Sequence, residues 1–153
     1  MSVDLKELKK VHMIGIGGVS MSGIAKILQY MGVEVTGSDR DETDVTKKLA
    51  NTGIPVTIGT DPELVKNVDL VVYTAAIKQD NPELMAARMF GVHCMERAEF
   101  LGLITKLYKD TICIAGTHGK TTTTSMVSLC FLEESKIDKK MEPTIQVGAK
   151  LNQ

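Results

Sequence analysis

The 153-residue chain is 43% hydrophobic and 24% charged, with a formal net charge of −1, so it carries no electrostatic footprint for nucleic acid or an anionic membrane. Its apolar runs are short and broken by charges, which excludes a transmembrane helix, and the leading MSVDLKELKK lacks the apolar core of a secretory signal. Cytoplasmic residence is the expectation.

Three Phe, three Tyr and no Trp suit an aliphatic α/β core and leave no aromatic platform for stacking bases. Cys94, Cys113 and Cys130 are odd in number and show no Cys-x-x-Cys pairing. Each lies in an apolar stretch, so all three read as buried, reduced thiols without a disulfide or metal role.

In chain order, Val11–Ile16 is an apolar run ending in glycines and reads as a first strand. Met21, Ile24, Ala25, Leu28 and Met31 recur at helical spacing, with Gly32 in the place of a C-terminal cap. Val33–Gly37 predicts a second strand ending at Ser38-Asp39, and Val45 and Leu49 mark one face of a second helix stopped by Gly53. Pro55–Ile58 and Asp69–Thr74 predict a third and a fourth strand. Asn81-Pro82 places a capping residue before proline at the first helical position, with the helix running to about Phe90. Val92–Met95 predicts a fifth strand, and Glu96–Leu107 a helix.

Alternating strands and helices predict a Rossmann-like, doubly wound parallel sheet over residues 1–108. The pattern then restarts. Thr111–Ala115 reads as a strand, residues from Lys120 to Glu134 as a helix, Ser135–Glu142 as a solvated loop, and Thr144–Val147 as a further strand. Such a piece cannot bury both faces of a sheet, so residues 109–153 read as the truncated opening of a second α/β domain.

Two glycine loops carry the chemistry. Gly15-Ile16-Gly17-Gly18-Val19-Ser20 joins the first strand to the first helix, where backbone N–H groups and the helix dipole favour a phosphate. Asp39, at the end of the second strand, is placed to bond a ribose hydroxyl. The pattern is nearly G-x-G-x-x-G, with Ser20 at the third glycine; it predicts a nucleotide without saying which one. The second loop, Ala115-Gly116-Thr117-His118-Gly119-Lys120-Thr121, has a P-loop's glycine, lysine and hydroxyl, although Ile114 stands where the general pattern wants its first glycine. ATP binding is expected there. His118 reads as shaping the loop, and His12 and His93 as structural residues at strand starts.

Together these stretches resemble the Mur ligase family, in the branch that joins L-alanine to UDP-N-acetylmuramate. The resemblance rests on Ile14-Gly15-Ile16-Gly17-Gly18, Met21-Ser22-Gly23-Ile24-Ala25, Gly37-Ser38-Asp39, Ala76-Ile77, Asn81-Pro82-Glu83-Leu84, Arg97-Ala98-Glu99 and the run from Ala115 to Thr124. Ser20 departs from it, since the family usually carries glycine there. The resemblance implies a three-domain enzyme whose first domain holds the UDP moiety, whose second binds ATP and Mg2+, and whose third closes over the site. ATP would phosphorylate the substrate carboxylate, and the amine of L-alanine would attack the acyl phosphate.

Carried over by residue, Gly15, Gly17, Gly18 and Ser20 would meet the diphosphate, and Ser38 and Asp39 the ribose or uracil. Thr74, Ala75, Ala76 and Ile77 would line the same edge, and Arg97 would pair with a phosphate. Gly116, Thr117, His118, Gly119, Lys120, Thr121 and Thr122 would hold ATP, with Lys120 catalytic and Thr121 on Mg2+. The family's remaining machinery would lie beyond Gln153, so this chain is expected to bind without catalysing. The acceptor remains open to a recycled tripeptide, a NAD-binding module or a stand-alone UDP-sugar sensor stays an alternative, and a homodimer is left open.

Overall fold

Five of the apolar runs pair into one parallel sheet. The computed structural model describes residues 3–147, and the chain divides into two units, residues 1–109 and 110–153. In the first unit the strands are β1 (Lys10–Ile14), β2 (Glu34–Asp39), β3 (Val56–Ile58), β4 (Leu70–Tyr73) and β5 (His93–Glu96), in the order β3-β2-β1-β4-β5. The helices are α1 (Val19–Tyr30), α2 (Asp44–Asn51), α3 (Pro82–Met89) and α4 (Arg97–Thr105), with a 3-10 turn at Pro62–Val65. The expected doubly wound parallel sheet is what forms.

Alternation along β1 sends side chains to both faces of the sheet. Val11 and Met13 join Ile16, Met21, Ile24, Leu28, Phe100 and Ile104 in the larger core. Ile14 joins Val65, Val71, Leu84 and Ala87 in a smaller one on the opposite face. Burying a side chain such as Leu28, Ile24 or Phe100 completely contributes about 1.5–3 kcal/mol each. The helix starts follow their caps: Thr43 and Thr46 form a reciprocal capping box on α2, and Asn81 Oδ1 accepts from the amides of Glu83 and Leu84 on α3. Neither α1 nor α4 has a side-chain cap.

The register sets the functional edge. Ile14 aligns with Ser38 on one side and Tyr73 on the other. After β3 the chain crosses back to add β4 on the far side of β1, which makes the gap between β1 and β4 the topological switch point.

The second unit corrects several expectations. Thr111–Ala115 and Thr144–Val147 form no strand. A strand is a ladder of pairings rather than a property of a segment, and among the described residues neither run builds such a ladder. The helix α5 spans Lys120–Ile137, continuing past Glu134 through residues read as a loop. Cys113 and Cys130 are exposed and only Cys94 is half-buried, so apolar neighbours in sequence did not bury these thiols. His93 is likewise exposed, whereas His12 is fully buried. No helix among the described residues is long and apolar enough to cross a membrane.

Candidate functional site

The first glycine loop is shaped by what surrounds it. Gly15 adopts φ +80°, and a Cβ there would lie 2.6 Å from Thr74 Cγ2, so only glycine lets the turn leave β1 against the end of β4. Its amide and that of Ile16 both donate to the Ser38 carbonyl, at 2.8 and 3.0 Å. At Gly17 a Cβ would come 2.8 Å from the Asp39 carboxylate, the same group that accepts the Gly17 N–H at 2.8 Å. Gly18 then precedes α1 as its cap residue. With no side chain on its first-turn amides, the start of α1 presents donors and the positive end of the helix dipole at this edge.

Other sequence-predicted residues gather at the same edge. Asp39 ends β2 half-buried, its second oxygen accepting from the Asp41 amide at 3.3 Å. Thr74 follows β4; its carbonyl accepts the Ile77 amide at 2.9 Å, making a short turn that exposes Ala75 and Ala76 while Ile77 packs inward. Arg97 opens α4, and its Nη1 donates to Ser20 Oγ at 2.9 Å. The serine that departs from the glycine pattern therefore holds a guanidinium between the starts of α1 and α4, where an anion would meet it.

Ser38 is placed differently from the expectation. Its side chain is 1% exposed and donates to Glu83 Oε2 at 2.5 Å, so the hydroxyl faces the interior and cannot reach a ribose. What Ser38 offers the edge is its carbonyl. Sequence reasoning used Asn81-Pro82 as a helix start and Asn81-Pro82-Glu83-Leu84 as part of the family resemblance, and missed that Glu83 is fully buried. Burial opposes ionisation of Glu83, but the His12 imidazole 3.8 Å away, the Ser38 hydroxyl and the Asp61 amide outweigh it and hold the carboxyl below the usual range. A carboxylate in the first turn of α3 also gains from the helix dipole.

The second loop lies in the second unit. Gly119 is left-handed at φ +76° and precedes α5, which has no side-chain cap. Lys120 Nζ turns back onto the carbonyls of Gly116 and Thr117, the latter at 3.3 Å, and Thr124 Oγ1 donates to the Lys120 carbonyl at 2.7 Å. Residues 116–122 are all exposed, Thr117, His118, Thr121 and Thr122 included. Bare helix-start amides beside a lysine are a donor set suited to a polyphosphate, and the adjacent Thr121 hydroxyl suits the magnesium that accompanies one.

The family described as "Mur ligase family, catalytic domain" matches residues 10–109. The UDP-N-acetylmuramate–L-alanine ligase of Clostridium tetani is 50% identical over 153 residues, covering 99% of this chain and 32% of the relative. Among solved structures, the UDP-N-acetylmuramate–alanine ligase of Thermotoga maritima superposes with a TM-score of 0.75 at 37% identity, over 81% of this chain and 30% of that one. The UDP-N-acetylmuramate:L-alanyl-gamma-D-glutamyl-meso-diaminopimelate ligase of Neisseria meningitides also reaches 0.75, at 31% identity, over 84% of this chain and 40% of that one. The chain spans about a third of the length of the curated relatives it matches.

Proposed function

Because this chain belongs to the Mur ligase family, we propose that it is the substrate-entry portion of a UDP-N-acetylmuramate–L-alanine ligase, acting in cytoplasmic peptidoglycan precursor synthesis. The observation that carries this reading is the convergence of the glycine loop, Asp39, the Thr74–Ile77 turn and Arg97 at the switch point between β1 and β4. A nucleoside diphosphate fits that convergence. Its two phosphates take the start of α1 and Arg97, and its ribose hydroxyls take Asp39, which accepts hydrogen bonds but repels phosphate. We assign residues 1–108 to UDP-sugar binding and 109–153 to the opening of the ATP-binding domain.

In the second unit, Gly116, Thr117, His118, Gly119, Lys120 and Thr121 would hold ATP, with Thr122 beside them and the Thr121 hydroxyl directed to Mg2+. The ion would neutralise charge on the transferring phosphoryl group. Lys120 stands at the first position of α5, so its ammonium and the helix-start amides act on the same anion. Relatives near 50% identity that carry the L-alanine ligase name favour L-alanine as acceptor over a recycled peptide.

Calorimetric titration with UDP-N-acetylmuramate, run beside NAD+, tests this reading. UDP-sugar binding that Asp39→Ala weakens is the expected result; binding of NAD+ alone would overturn it and promote a redox module. The chain alone is expected to release no phosphate from ATP with all substrates present, beyond a Lys120→Ala control.

A further inference from the structure

Ser38 and Glu83 are separated by 45 positions in sequence, yet they share a buried hydrogen bond directly beneath the ligand edge. Glu83 does more than accept that hydroxyl. Its other oxygen takes the Asp61 amide at 2.8 Å, where the chain leaves β3 and enters the 3-10 turn. Asp39, next to Ser38, completes a ring of contacts outside the strand ladders: its carbonyl accepts the Gly59 amide at 2.8 Å and its carboxylate accepts the Gly17 amide. The Ser38 carbonyl accepts from Gly15 and Ile16. One buried carboxylate thus fixes the end of β2, the exit from β3 and the start of α3, and the glycine loop hangs from the first of these.

His12 supports the same carboxylate from β1. Its Nδ1 lies 2.8 Å from Thr36 Oγ1, while Nε2 is buried, has no hydrogen-bond partner and faces Glu83 Oε2 at 3.8 Å. A polar atom left this way in a core asks for a reason, and the buried Glu83 carboxylate it faces supplies one. The charged groups on the other packed elements are engaged elsewhere: Asp39 with Gly17, Asp61 with the Glu63 amide, and Glu63 with Lys66.

We propose that Glu83 is a positioning residue for the nucleotide site. It touches no ligand, and it holds the glycine loop in binding geometry through Ser38. The proposal rests on the UDP-binding reading of that loop for its functional consequence, and on hydrogen bonds alone for its structural part.

The test compares wild type with Glu83→Ala, Glu83→Gln and, as a control at a neighbouring buried position of α3, Leu84→Ala. Amide exchange at Gly15 and Ile16 and the dissociation constant for UDP are measured on each folded protein. Glu83→Ala is expected to raise exchange at those two amides at least tenfold relative to the amides of β1, and to weaken UDP by about tenfold. Glu83→Gln keeps an acceptor oxygen and is expected to recover most of both, while Leu84→Ala lowers stability and leaves both unchanged.

A folded Glu83→Ala protein with protected loop amides and UDP affinity within twofold of wild type would overturn the proposal. So would a Leu84→Ala protein that loses affinity equally, because a general loss of packing would then be sufficient. Wild-type protein that binds no UDP would instead overturn the functional reading, with the exchange data still deciding whether Glu83 positions the loop.

Discussion

The two glycine loops follow one sequence rule and differ in what holds them. Each puts glycines ahead of a helix with no side-chain cap. In the first, the amides of Gly15, Ile16 and Gly17 are committed to groups at the end of a neighbouring strand, far away in sequence. In the second, the contacts are local, from Lys120 to Gly116 and Thr117 and from the Thr123 amide to Gly119. A glycine motif specifies that the chain can turn; the sheet beside it specifies where the turn points. Preorganisation lowers the ordering cost of binding, so in this chain the first loop is expected to bind its nucleotide more tightly than the second binds ATP.

The largest expected effect comes from removing the glycine that the sheet demands. Gly15→Val puts a branched side chain at positive φ and against Thr74, and should lower stability by about 2–3 kcal/mol while abolishing UDP binding. Urea denaturation with paired calorimetry measures both. Gly119→Ala is the counterpart: its Cβ would meet nothing closer than 4.0 Å, so the cost stays near 1 kcal/mol and the first unit's transition does not move. Equal costs at the two sites would erase the contrast between the loops.

Lys120→Ala sharpens it from the other side. Loss of a charge-assisted contact, about 1.5–3 kcal/mol, predicts at least tenfold weaker ATP binding with the UDP titration unchanged. If UDP binding fell in parallel, the loops could not be treated as separate sites.

The next effect is a pH dependence belonging to the first unit alone. Glu83 is held below its ordinary range, so its contribution to stability is complete above about pH 4.3, the unfolded value. That contribution disappears as pH falls through the lower native value. Urea midpoints measured from pH 7 down to 3 should fall less steeply for Glu83→Gln than for wild type. Parallel curves would show that this carboxyl is not held in its charged form.

The smallest effect on stability is expected at Arg97. Arg97→Ala removes one half-exposed hydrogen bond to Ser20 and should change stability by no more than about 0.5 kcal/mol. UDP should nonetheless bind several-fold more weakly, and UDP affinity matching wild type would remove Arg97 from the site.

The fold was legible wherever periodicity and punctuation agreed. Met21, Ile24, Ala25 and Leu28 announced α1, and Asn81-Pro82 announced α3 to within a residue. Loop residues followed from glycines placed between a strand and a helix, and their gathering at one edge followed from parallel pairing. Two kinds of feature escaped. Thr111–Ala115 has the composition of a strand but forms no strand among the described residues, and pairing cannot be read from a single segment. The inward turn of the Ser38 hydroxyl escaped for a related reason, because Glu83, its acceptor, reads locally as an ordinary acidic residue in the first turn of a helix. Contacts between distant positions of unlike type leave no periodic trace.

The strand order also dictates a sequence of events in time. Of the sheet's five strands β1 is synthesised first and lies at the centre of the finished sheet, yet its second neighbour, β4, begins about 60 residues later. Until that stretch has emerged, one side of Val11–Ile14 is an open row of backbone donors and acceptors on an apolar segment. A nascent chain ended anywhere before β4 would expose that edge to other chains. The crossover that creates the ligand crevice is therefore also the step that covers the open side of β1, and it cannot be completed early.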